Sequence, residues 1–337
     1  MQIQRVTGSN LRDALERAAK LHGKNALVLN RESGPNGEVV VAVAPQTEST
    51  IERLARFGFA GDDERERGAQ REERERDPAL FDIRQRLRRA GCSKEFVEGI
   101  AVRAGKARAK GMHPIDAAAA IASRIVPIAD GPRMKELAAV IAHVGPEASA
   151  QRAATTALAL RLASAGRHVT VASLEPHPSP EGDALEDGLA ESGVEVVRSD
   201  DGTRIGARLA EARALEVVIV NTGGRASFDG RQLTRLGTAL QGADRLGSLS
   251  NHLVVAATRT RAALEQAFGT FARFRPKGIF ATACDRTREF GPLFELAANK
   301  RCGLVFLAGR SGDAAQLVRP TPKLVADLLL TGSGPWK

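Results

Sequence analysis

From residue 139 to residue 308 the chain alternates short β-rich runs with helical stretches, and this alternation restricts the fold more than any other feature of the sequence. The runs fall at 139–144, 168–173, 194–197, 217–221, 253–257, 278–281 and 304–308. Helices of ordinary length separate them, which predicts an α/β domain with a mainly parallel sheet wrapped on both faces. At 337 residues the chain is too long for one small core, so further domains are expected. The boundaries read as a small α+β module over 1–45, a charged linker over 46–78, a helical domain over 79–137 and the sheet domain over 138–332.

The first module reads as strand, helix and two short strands. Leu11, Ala14, Leu15, Ala18 and His22 recur at helical spacing after Asn10, a good N-cap, with Asp13 three residues on. Pro35-Asn36-Gly37 is turn chemistry between two β-rich runs. The mixed-charge run over 62–77 has almost nothing to bury and reads as a flexible linker or a solvated helix. Helical signals return over 80–90, after Ser93 as N-cap, and after Pro114 at a first helical position.

Aromatic content is 4% with no Tyr, so the core is expected to be Ala, Leu, Val and Ile. The opening residues do not read as a signal peptide, and no apolar run reaches the roughly 18 residues of a membrane span, so the expected location is the cytoplasm. Cys92, Cys284 and Cys302 lack CxxC spacing and read as buried thiols. Net charge is +9, and much of the excess lies between Arg84 and Lys110, opposed mainly by Glu95 and Glu98. That stretch is either a solvated helical face or a docking surface for an anionic partner, such as a membrane.

Ligands in open α/β sheets bind beyond the carboxyl ends of the strands, so the loop after the first strand is where a phosphate site belongs. A working phosphate loop reads G-x-x-x-x-G-K-[ST]: glycines let backbone N–H groups wrap the phosphates, Lys reaches them and the hydroxyl holds Mg²⁺. Here Gly145 and Pro146 open the loop, but Ala150 stands for the second glycine, Gln151 for the Lys and Arg152 for the hydroxyl residue. Moving the register to use Thr155 or Thr156 as the metal ligand does not restore a Lys. Arg and Lys are not interchangeable at so tight a site.

Met1-Gln2-Ile3-Gln4-Arg5-Val6, Leu11-Arg12-Asp13-Ala14-Leu15 and Gly23-Lys24-Asn25-Ala26-Leu27-Val28-Leu29 resemble the opening of the flagellar FlhF family of SRP-type GTPases. Ala90-Gly91-Cys92-Ser93 resembles a turn of the family's helical N domain. Asn221-Thr222-Gly223-Gly224-Arg225 stands where the family has D-T-A-G-R, Leu253-Val254-Val255-Ala256-Ala257-Thr258 where it has L-V-L-S-A-T, and Thr282-Ala283-Cys284-Asp285 where it has T-K-L-D. Arg204-Ile205-Gly206-Ala207 echoes another family element, D-T-Y-R-I-G-A, but lies too far downstream; the place of that element is near 175–181.

The resemblance implies the P-loop G domain of an SRP-type GTPase, GTP and Mg²⁺ as ligands, an FlhG-like ATPase and flagellar basal-body proteins as partners, and a peripheral location at the inner face of the cell membrane, at the flagellar pole. Asp285 stands where a carboxylate would take two hydrogen bonds from guanine, or is a loop carboxylate with no ligand. Asn221 and Ala283 each lack the charge found there in the family. The leading expectation is a flagellar placement factor that binds partners without hydrolysing GTP, since loss of the Lys and the metal-binding hydroxyl removes most of the rate. The alternative is a GTPase working as a GTP-gated homodimer. An RNA or signal-sequence binder is disfavoured, because the chain has 3 Met in all and the basic stretch has only Phe96 as an aromatic. The histidines form no recognisable metal or triad arrangement, and His143 reads as a core residue on a buried strand.

Overall fold

A computed structural model describes residues 4–9, 11–22, 27–33, 39–44, 77–129, 139–174, 185–198, 216–224, 248–311 and 314–336, together with 207 and scattered positions between 230 and 240. The expected turn at Pro35, the cap at Asn10, Arg225, the 175–181 element and nearly all of the charged run lie outside the described residues. The chain divides into two compact units, Met1–Pro78 and Ala79–Lys337.

In the first unit β1 (Gln4–Gly8), β2 (Leu27–Ser33) and β3 (Val39–Ala44) form an antiparallel sheet in the order β1-β3-β2, with α1 (Leu11–His22) packed on it. Ala14 and Ala18 are buried against Val6 and Val39. Small residues let the helix sit low: a Cβ on Gly8 would come within 2.3 Å of the Ala14 nitrogen. Asp13, in the first turn, accepts hydrogen bonds from the Ser9 N–H at 3.0 Å and the Ser9 hydroxyl at 3.1 Å.

The second unit begins with α2 (Pro78–Arg89), α3 (Lys94–Arg108) and α4 (Pro114–Ile125). Ser93 caps α3, accepting the Phe96 N–H, and Pro114 occupies the first turn of α4. These helices bury Ile83, Leu87, Val97, Ile100 and Ala118 in a core shared with the sheet. The sheet is built from β4 (Ala139–Val144), β5 (Val169–Ser173), β6 (Glu195–Arg198), β7 (Val217–Asn221), β8 (Ser248–Ala256), β9 (Gly278–Thr282), β10 (Leu304–Ser311) and β11 (Ala314–Val318). Its order is β11-β10-β9-β8-β4-β7-β5-β6, parallel throughout except for β11, which runs antiparallel to β10.

The mainly parallel sheet agrees with the sequence reading; β11 was not foreseen. Ala-Ala-Gln-Leu-Val carries little β-branched or alternating signal, and it becomes a strand because β10 offers a free edge.

Along β4, Val140, Ala142 and Val144 face the core on one side of the sheet, while Ala139 and Ile141 face the core on the other, under α5 (Ala148–Ser164). Helices α6 (Arg261–Phe271), α7 (Gly291–Lys300) and α8 (Pro322–Leu330) contribute to the first of these cores. Cys284 and Cys302 are buried and Cys92 is half-buried; burial pushes the Cys92 thiol up to about 12 and the Cys302 thiol to about 11.

Candidate functional site

Strand β4 ends at the central position of the sheet and passes to α5 through Gly145, Pro146 and Glu147. Gly145 lies against β8, where a Cβ would fall 2.3 Å from the Val254 carbonyl oxygen, so glycine here serves close strand packing. The first N–H groups of α5 would meet a phosphate in a working loop. Here the chain itself fills that place.

Gln151 is fully buried. Its Nε2 donates to the Gly145 carbonyl at 2.8 Å, and its Oε1 lies 2.9 Å from the Thr222 hydroxyl, which is also 2.8 Å from the His143 carbonyl. Thr222 belongs to the loop after β7, where Asn221 Oδ1 accepts the Gly223 N–H at 3.2 Å and Asn221 Nδ2 faces the Ser173 hydroxyl at 3.4 Å. Gly223 and Gly224 turn with φ of 76° and 64°, and Gly224 packs so closely on α5 that a Cβ would lie 2.2 Å from the Ala148 nitrogen. Gly224→Ala combines this clash with a left-handed backbone and is expected to destabilise the protein by about 2 kcal/mol in a urea melt.

Thr155, one turn after Gln151, is also fully buried, with its hydroxyl 2.8 Å from His143 Nδ1. Burial holds His143 well below the ordinary histidine range, and the neighbouring His252 pushes it in the same direction; burial alone lowers His252 to about 4. Both rings are therefore neutral at pH 7. Glu147, at the mouth of the loop, accepts a hydrogen bond from Arg259 Nε at 2.6 Å, which raises the Arg259 pKa.

The outward side of α5 faces a cleft of about 580 Å³ at the carboxyl ends of β8, β9 and β10. Arg152 and Thr156 line it from the helix, Thr282 from the end of β9, and Asp285 and Arg286 from the loop that follows. The structure thus separates the sequence-predicted residues. Arg152, Thr156, Thr282 and Asp285 share the cleft, whereas Gln151, Thr155, Asn221 and Thr222 are drawn into a buried hydrogen-bond network.

A triphosphate with Mg²⁺ needs a cation at the Lys position, a hydroxyl for the metal and open backbone N–H groups. The residue at the Lys position is a buried neutral amide tied to Gly145, Arg152 stands at the hydroxyl position, and the Thr155 hydroxyl is taken by His143. Gly224 covers the start of α5, and Glu147 at the mouth of the loop is taken up by Arg259. These residues do not fit GTP with its metal. Sequence reasoning missed Glu147 and Arg259 as a pair and His143 as the partner of Thr155. A signal for the inward face was present: Gln151, Thr155, Leu158 and Leu162 follow helical spacing i, i+4, i+7 and i+11 and all are buried.

No protein-family model matches the chain, and no curated protein matches it in sequence. Solved structures do match. FtsY from Thermotoga maritima superposes with a TM-score of 0.63 at 20% identity, covering 76% of this chain and 89% of that one. FlhF complexed with GTP and Mg²⁺ superposes at 0.62 and 14% identity, covering 74% of this chain and 99% of that one. The signal recognition particle 54 kDa protein from Aeropyrum pernix K1, in complex with GDP, superposes at 0.63 and 18% identity, covering 77% of this chain and 64% of that one. The structural neighbours are SRP-type GTPases, and at these identities the likeness is one of fold.

Proposed function

We infer that this chain is a flagellar biogenesis and placement factor of FlhF type that does not hydrolyse GTP and acts by binding proteins at the cytoplasmic face of the membrane. The observation that carries the loss of hydrolysis is the buried bridge from Gln151 to Gly145 and Thr222, which ties a neutral amide down at the position where a phosphate loop needs its Lys. The sequence resemblance and the shared fold support the flagellar part. An FlhG-like ATPase and basal-body proteins are the partners this reading implies, at the flagellar pole.

Equilibrium titration with a fluorescent GTP analogue, with and without Mg²⁺, tests the nucleotide part, and no saturable binding at micromolar protein is the expected result. Gln151→Lys is expected not to restore binding and to lower stability by about 2 kcal/mol, because it buries an ammonium between a carbonyl and a hydroxyl, neither of which carries a balancing charge. Micromolar binding that GTP competes away would return the GTP-gated homodimer as the mechanism. That second reading is favoured by one observation, the placement of Asp285 and Thr282 on a shared cleft. The flagellar part is tested by counting flagella in a deletion strain; unchanged number and position would overturn it.

A further inference from the structure

We propose that the exposed face of α3 and the turn that follows it form a docking surface for an anionic phospholipid bilayer. This deepens the membrane part of the reading above and does not depend on its flagellar part. At about 100° per residue, Val102, Arg103 and Lys106 fall within one arc of the helix surface, opposite the buried Val97, Ile100, Ala101 and Ala104. Lys110 and Met112 extend the exposed surface through the turn beyond the helix end. Val102 is 50% and Met112 48% exposed, two of the few large apolar side chains left in solvent among the described residues.

The helix dipole accounts for cations near the end of α3, since its carbonyls carry partial negative charge there. It does not account for an exposed Val and Met among them. Cations flanking apolar side chains suit a bilayer surface, where ammonium and guanidinium groups meet lipid phosphates and the apolar groups enter the acyl boundary. The basic stretch is not uniformly available: on α2, Arg84 is turned to Glu98 at 2.9 Å and Arg86 to Asp82 at 2.7 Å, so these two arginines are spent inside the unit. Glu95 lies on the same face two turns before Val102, and Asp116 is in the first turn of α4; they are the exposed carboxylates nearest in sequence. Nucleic acid is the weaker fit, because the face offers no aromatic ring for base stacking and Phe96 packs against the core.

The test is flotation of the full chain with vesicles of phosphatidylcholine alone and with 30% phosphatidylserine. Binding is expected only to the anionic vesicles and is expected to fall as salt rises. The triple variant Arg103→Gln/Lys106→Gln/Lys110→Gln should weaken it on the order of 100-fold, roughly fivefold per charge. Val102→Ser/Met112→Ser should weaken it without changing the salt dependence. A control that removes three exposed charges elsewhere, Arg273→Gln/Arg275→Gln/Lys277→Gln, should leave binding within about twofold. Equal loss in the control, equal binding to neutral vesicles, or no vesicle binding would overturn the surface. Binding of poly-uridylate that the triple variant abolishes, without vesicle binding, would overturn it in favour of nucleic acid. None of these results bears on flagellar number, so failure of the surface and failure of the flagellar reading are separable.

Discussion

Glu295→Ala is expected to destabilise the second unit by about 2–4 kcal/mol, less than a fully buried charge pair would lose, because water reaches the Arg261 side of the pair. Glu295 lies on α7 and is 3% exposed. Its carboxylate accepts hydrogen bonds from the Ser93 N–H and the Ser93 hydroxyl, each at 2.7 Å, and from the guanidinium of Arg261, which also donates to the Gly91 carbonyl at 3.2 Å. One side chain therefore ties the turn between α2 and α3 to α6 and α7. Alongside it the Gly291 N–H donates to the Ala90 carbonyl at 2.7 Å, and a Cβ on Gly291 would lie 2.5 Å from the Cys92 nitrogen. Alanine would leave the Ser93 donors without their acceptor, while the Arg261 guanidinium, about a third of it exposed, would turn to water.

Glu295→Gln keeps the shape and one acceptor, so a smaller loss of about 1–3 kcal/mol is expected. Urea unfolding followed by the fluorescence of Trp336, the single tryptophan, measures both variants, since that ring is buried beside Phe290 and over Gly309. A loss under about 1 kcal/mol for the alanine variant would mean that the clasp is replaceable by water and that apolar burial alone joins the helices to the sheet.

The same clasp marks where sequence reading stops. Ser93 was legible as an N-cap because capping is local: the hydroxyl accepts the N–H of Phe96, three residues on. That this hydroxyl also donates to Glu295, 202 residues away, has no local signature. The sheet follows the same division. Strands β4 and β7 were readable to the residue because both faces are buried and their apolar runs are continuous, whereas β11 depends on the edge that β10 presents.

At the candidate site the missing Lys and hydroxyl were readable as absences, but the use made of their replacements was not. Gln151 reads in sequence as a lost cation; in the fold it joins Gly145 to Thr222. Asn221 likewise reads as a lost charge, yet in the fold its amide accepts from Gly223 and faces the Ser173 hydroxyl, so the neutral residue is held by contacts of its own.

Acid is expected to attack that network through its histidines. His143 and His252 sit opposite each other on the paired strands β4 and β8, with ring centroids 6.1 Å apart, and both are buried. His143 Nε2 and His252 Nδ1 have no hydrogen-bond partner. In the fold both pKa values are depressed, His252 to about 4, while the unfolded chain keeps the ordinary value of 6.5. Between pH 6.5 and 4 the unfolded state therefore binds more protons, so stability is intact above pH 6.5 and is lost as pH falls through that window.

The slope is about 1.4 kcal/mol per pH unit for each histidine, and His252 alone loses about 3 kcal/mol by pH 4. The pKa of Glu98 is lowered by its hydrogen bond to Arg84, so that carboxylate contributes only below its ordinary value of 4.5 and leaves the upper part of the window to the histidines. Urea melts at pH 7 and pH 5 should separate by about 4 kcal/mol if both histidines act, and His252→Gln should roughly halve the difference. Equal stability at the two pH values would mean that the pair holds its proton in the fold, through a bridging water that satisfies the two orphaned nitrogens. Because His143 also binds Thr155 through its ring and Thr222 through its carbonyl, charging it would loosen the closed loop before the rest of the sheet. Hydrogen exchange at pH 5 should accordingly rise first in α5 and the loop after β7.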